Sequence, residues 1–152
     1  MKICLLLALL IISLQNVFSQ SEVQRQKYFN VKRNVALEGY DAVSYFGGKP
    51  IEGSDEHIYN YKGIRYQFAS ISNMNKFKSN PEKYEPSYGG WCAYAMGETG
   101  EKVKVDPETY KIVNGKLYLF YNFWGNNTLE EWNKNEVKLK DAGDRNWKKN
   151  IQ

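Results

Sequence analysis

The 152-residue chain has little of the residues that usually carry chemistry: two cysteines, one histidine and four prolines. Two cysteines cannot build a Cys4 zinc centre, and the absence of a CxxC pair excludes a dithiol oxidoreductase. No HExxH, no GxSxG and no glycine-rich phosphate loop between a strand and a helix is present. A Cys–His nucleophilic pair needs hydrogen-bond proximity, and nothing in the spacing of Cys92 and His57 supplies it. Charge is also low. The net value is +4, with acids and bases interspersed, so composition does not point to nucleic acid.

The N-terminus carries a compartment signal. Met1-Lys2 is followed by an apolar run from Ile3 to Leu14 and a small residue, Ser19, before Gln20. That is the order of a secretory signal peptide, and the run is short for a membrane span. Residues 1–19 are therefore expected to be removed, taking Cys4 with them. The protein is expected to be exported, either periplasmic or secreted, with no transmembrane segment in the mature chain. Residues 20–34 are polar and read as a flexible leader with room for one helical turn. Residues 35–152 are long enough for one domain. With one cysteine left, that domain has no internal disulfide and relies on packing.

Aromatic residues are abundant: twelve Tyr, seven Phe and four Trp. Four of them frame Cys92, in Tyr84-Glu85-Pro86-Ser87-Tyr88-Gly89-Gly90-Trp91-Cys92-Ala93-Tyr94-Ala95-Met96. Glycine pairs permit close backbone approach, and aromatic rings shield a thiol from water. The rest reads as hairpins and helices. Ala42–Phe46 reads as a short buried strand or extended segment, and Cys92–Met96 as strand-like. Ile64, Tyr66 and Phe68 alternate with Arg65 and Gln67 after Lys62-Gly63, which marks a hairpin. Asn114-Gly115 joins a second one, whose return strand is apolar on both faces and reads as central. Ile71, Met74 and Phe77 have helical spacing behind a cap at Ser70 or Ser72. From Thr128 onward the pattern is one long helix or two shorter ones. The fold class is α+β: a small antiparallel sheet built from hairpins, with a short middle helix and C-terminal helices packed on it.

Several of these motifs together resemble the exported YHS-domain proteins. They are Asp41-Ala42-Val43-Ser44-Tyr45-Phe46, then Tyr61-x-Gly63-x-x-Tyr66-x-Phe68-Ala69-Ser70, then Phe77-x-x-x-Pro81-x-x-Tyr84-x-Pro86-x-Tyr88-Gly89-Gly90-x-Cys92-Ala93. The resemblance extends through Asp106-Pro107 and Gly115-Lys116-Leu117-Tyr118-Leu119. The wider group is similar to small zinc-ribbon-like metal-binding modules and occurs beside copper-transporting ATPases and in some oxygenases. It therefore implies metal binding, with copper or zinc as the cofactor. Its metal-binding members carry a cysteine pair around the position of Phe68-Ala69-Ser70 and the following helix, and this chain has none there.

The site candidates follow. Cys92 is a thiolate ligand, a redox-sensitive thiol or a small buried hydrophobe. Asp41 is a carboxylate ligand or a turn-stabilising aspartate. His57 is an imidazole ligand or a structural histidine. Tyr40, Tyr88, Gly89, Gly90, Trp91 and Tyr94 are the expected lining of a ligand pocket. Two functions stay open: a binding domain holding a metal near Cys92, and a non-catalytic interaction or structural protein, with a partner in the cell envelope, in which Cys92 is core.

Overall fold

The structure, a computed structural model, describes residues 22–151. The expected signal peptide and Cys4 lie outside the described residues.

Four turns shape the sheets. Arg33-Asn34, Lys62-Gly63, Asn114-Gly115 and Trp124-Gly125 each place two consecutive residues at positive φ, as a type I′ hairpin turn requires. The first three join β1 (Val31–Lys32) to β2 (Val35–Ala36), β3 (Ser54–Tyr61) to β4 (Ile64–Phe68), and β5 (Asp106–Val113) to β6 (Lys116–Phe120). The fourth joins β7 (Asn122–Phe123) to β8 (Asn126–Asn127). The first two hairpins merge into one sheet, ordered β1-β2-β4-β3, through a parallel contact of Val35 with Arg65. The other two stand as separate ribbons. The α+β class holds, with the sheet divided into hairpin units and one parallel seam.

Alternation in β4 places Ile64, Tyr66 and Phe68 in the core. α2 (Ile71–Ser79) covers them. Ser70 caps it by accepting a hydrogen bond from the Asn73 N–H, and Phe77 is its buried contact. Pro81 opens the single turn α3 (Pro81–Tyr84). Leu117, Tyr118, Leu119 and Phe120 are all buried, so β6 has two apolar faces, as expected of a central strand. β5 lies on one side of it, and residues 86 and 92 bridge to its other side.

The C-terminal helical region is two helices, α5 (Thr128–Lys134) and α6 (Glu136–Asn150). Asn127 caps α5 by accepting from the Leu129 N–H. A second core cluster joins Trp132 and Leu139 to Tyr88, Ala93, Met96, Tyr118 and Phe120.

Three expectations need correction. Ala42–Phe46 is not a strand but a turn followed by a 3-10 segment, Ser44–Gly47. Local hydrogen bonds outweigh the β propensity of Val43 and Tyr45: Asp41 Oδ1 accepts from Val43 N–H, and the Asp41 carbonyl accepts from both Ser44 N–H and Ser44 Oγ. Cys92–Met96 is also not a strand, because α4 (Ala93–Glu98) begins directly after Cys92. Ala93, Ala95 and Met96 are good helix formers. Gly97 lets α4 and α6 meet at backbone distance, since a Cβ there would lie 2.5 Å from the Leu139 carbonyl oxygen. The described part of the 20–34 leader is ordered: residues 22–28 form a helix, α1, and β1 follows. Arg25 anchors it through Glu85 (2.5 Å) and the Lys62 carbonyl.

Candidate functional site

Pro86 pairs with Leu117 and Cys92 with Leu119. Between those bridges the neighbouring segment has more residues than β6, so the surplus leaves the ladder as a loop. That loop is the 3-10 turn Ser87–Gly90, in which Tyr88, Gly89 and Gly90 all have positive φ. Gly89 meets a second demand, because a Cβ there would lie 2.8 Å from the Trp147 ring and 3.1 Å from Phe29.

The turn forms one wall of a cleft of about 620 Å³. Ser87, Tyr88 and Gly89 line it from the turn, Lys116 and Tyr118 from β6, and Lys140, Asp144 and Trp147 from α6. The Tyr88 ring packs edge-on against Tyr118 at 5.6 Å. Its hydroxyl donates to Asp144 Oδ1 at 2.9 Å. Burial, then the Asp144 carboxylate, push the Tyr88 phenol far above the ordinary tyrosine range. Both lysines are partnered: Lys140 Nζ donates to Asp144 Oδ2 (2.7 Å) and Lys116 Nζ to the Glu82 carbonyl (2.8 Å). At the rim, Glu85 accepts from Arg25 and from the Tyr66 hydroxyl at 2.6 Å. The surface thus mixes four aromatic rings with charged groups of both signs.

Cys92 lies under this turn, wholly buried. Its sulfur accepts from the Tyr121 N–H at 3.4 Å and lies 3.4 Å from Thr128 Oγ1. The single Thr128 hydroxyl proton is donated to the Tyr121 carbonyl at 2.9 Å, which leaves Thr128 Oγ1 to accept from the thiol. Neither neighbour is charged.

The other expected ligands lie elsewhere. Asp41 is fully buried and has its own partners: Oδ1 takes the Val43 N–H, and Oδ2 takes Ala69 N–H at 3.0 Å and Asn73 Nδ2 at 2.7 Å. It ties the 41–44 turn to the N-terminus of α2. His57 sits in the irregular part of β3 between Ser54 and Ile58. Among the described residues, no group of three His, Cys, Asp or Glu side chains converges as a metal site. Among the described residues, Cys92, Asp41 and His57 therefore do not come together as the ligands of one copper or zinc ion.

Of the expected pocket lining, Tyr88 and Gly89 reach the cleft. Gly90 and Trp91 instead hold the leader: the Gly90 carbonyl accepts from Asn30 Nδ2, and Trp91 Nε1 donates to the Tyr28 carbonyl at 2.6 Å. Tyr94 borders a smaller depression with Glu131 and Lys138. Tyr40 bridges to Glu52. Lys116, Tyr118, Lys140, Asp144 and Trp147 were not expected in a site. Only the positions of Lys140 and Asp144, one helical turn apart, hinted that they act together.

Fold and site describe a small α+β domain with an aromatic cleft where a hairpin, a glycine turn and the last helix meet. Residues 42–88 match the family model of the YHS domain, which makes this a YHS-domain-containing protein. The match ends at Tyr88, on the cleft wall. No curated protein and no solved structure matches the chain. Among the described residues, no helix is long and apolar enough to cross a membrane.

Proposed function

We propose that this is an exported, non-catalytic binding domain that takes a small amphipathic ligand in the cleft beside Ser87–Gly89, with Cys92 as a core residue. The observation that carries the reading is the division of roles within one stretch. Tyr88 and Gly89 open onto the cleft, while Cys92, three residues on, faces only uncharged partners inside the core. Small-ligand sites combine apolar and aromatic walls with placed polar groups, and this cleft sets the rings of Phe29, Tyr88, Tyr118 and Trp147 among charged side chains of both signs. Export rests on the charged, apolar and small-residue order of residues 1–19. The association of YHS domains with metals supports a copper or zinc reading in general, but Cys92, Asp41 and His57 offer no shared coordination sphere here.

The test is an amide-resolved NMR titration of the mature chain with a panel of aromatic carboxylates and aromatic amines. Shifts are expected at Ser87, Gly89, Lys116 and Lys140, and Ser87→Trp, which fills the cleft, is expected to remove them. Shifts confined to other surfaces, or binding that survives Ser87→Trp, would end the reading. A copper or zinc titration that distinguishes wild type from Cys92→Ser would favour the metal alternative.

A further inference from the structure

Away from the cleft, the β7–β8 hairpin ends in Trp124, whose side chain is 87% exposed. It is the most exposed of the large apolar residues described. Its φ is +53°, in the left-handed region that type I′ turns normally fill with Asn, Asp or Gly. A large aromatic residue is an unfavourable choice for that turn and a favourable one for an apolar contact. Phe123 and Tyr121 continue the ring surface behind it, at 6.1 and 6.4 Å.

This aromatic tip has a basic border. Lys104 Nζ lies 4.7 Å from the Phe123 ring centre and 5.3 Å from that of Trp124. Two residues earlier, at most about 7 Å along the chain, Lys102 Nζ lies 4.5 Å over Tyr28. Lys27 Nζ approaches the same Tyr28 ring at 5.5 Å. All three lysines are exposed, while Val105 turns inward from the same segment. None of the three makes an ion pair with a described residue, and nearby Glu98 and Glu101 do not approach them closely enough to do so. Desolvation foremost, then the Lys27 charge, lower the Lys102 ammonium below the ordinary lysine range.

We propose that this stripe docks on an anionic lipid surface, with Trp124 and Phe123 entering the headgroup region and Lys27, Lys102 and Lys104 facing the phosphates. Tryptophan favours the boundary between water and hydrocarbon, and lysines beside it add attraction to negative headgroups. A hairpin tip suits this task because its aromatic end projects while its base stays in the fold. The proposal is independent of the cleft.

The mature chain is tested by co-sedimentation with vesicles of phosphatidylcholine alone and of phosphatidylcholine with phosphatidylglycerol, at low and high salt. Binding is expected only with phosphatidylglycerol and is expected to fall as salt screens it. Trp124 is the exposed one of the four tryptophans, with Trp132 buried and Trp91 and Trp147 partly so. Its emission is therefore expected to move to shorter wavelength on vesicles and to gain protection from acrylamide. Trp124→Asn, which suits the turn better, is expected to remove that spectral change. Lys102→Glu with Lys104→Glu is expected to weaken binding by about thirtyfold or more. No sedimentation, equal binding to neutral vesicles, an unaffected double variant, or sedimentation without spectral change would each overturn the proposal. Binding to heparin or single-stranded DNA without vesicle binding would also overturn it. Should either variant lose its far-UV dichroism, acrylamide quenching of the wild type on vesicles carries the same test.

Discussion

The Cys92 thiol donates to the Thr128 hydroxyl at 3.4 Å, and Thr128 in turn donates to the Tyr121 carbonyl. The contact joins the start of α4 to the start of α5, and both partners are buried. Three consequences can be measured. Cys92→Ala is expected to destabilise the domain by about 1–2 kcal/mol in urea unfolding, as for other small buried losses. The native thiol is expected to react with a thiol reagent far more slowly than the unfolded one. Copper and zinc affinities are expected to match between wild type and Cys92→Ser. Fast native labelling, or a lost metal site, would contradict the core assignment.

Asp41 accepts three hydrogen bonds, two from backbone N–H groups and one from the Asn73 amide. Asp41→Ala leaves those donors unpaired inside the protein, at an expected cost of about 3–5 kcal/mol. Asp41→Asn retains one accepting oxygen and is expected to fall between wild type and alanine. Chemical denaturation of the three proteins checks the order. If alanine and wild type unfold together, the clamp contributes nothing.

Lys111 donates to Glu136 at the start of α6, and Trp132 Nε1 donates to the same carboxylate at 3.2 Å. The Lys111 hydrogen bond foremost, opposed next by desolvation and aided by the Lys111 charge and the Trp132 bond, holds Glu136 below its ordinary 4.5. The folded state therefore binds this proton less readily than the unfolded chain does. The resulting stabilisation is complete above 4.5 and is lost as pH falls through the lower folded value. Unfolding curves measured down the acid range should show that loss, and Glu136→Gln should remove part of it. An unchanged acid slope in the variant would count against the pairing.

Local chemistry made much of the fold legible. Lys62-Gly63 and Asn114-Gly115 marked two hairpins because positive φ at consecutive positions is a short-range demand. The Ser70 cap and the two-faced apolar pattern of β6 were equally local. The errors came where side chains redirected the backbone. Asp41 and Ser44 turned an apolar run into a 3-10 segment, and helix-forming Ala93, Ala95 and Met96 took the chain into α4 after Cys92. In the site, Tyr88 and Gly89 were legible from their framing. Lys116, Lys140, Asp144 and Trp147 were not, because α6 reaches the glycine turn only through tertiary packing. The Trp124 tip was also missed. Trp-Gly is an unusual filling for a hairpin turn, so the dipeptide did not read as one.

The contact from Tyr88 to Asp144 spans 56 residues. It also decides when the domain can close during synthesis. Until Trp132, Leu139 and Asp144 have been made, the apolar faces of Tyr88, Tyr118 and Phe120 have nothing to cover them. The region that matches the family model is finished well before its second core can form. The chain therefore stays open during synthesis until α6 is nearly complete, a state that premature aggregation threatens.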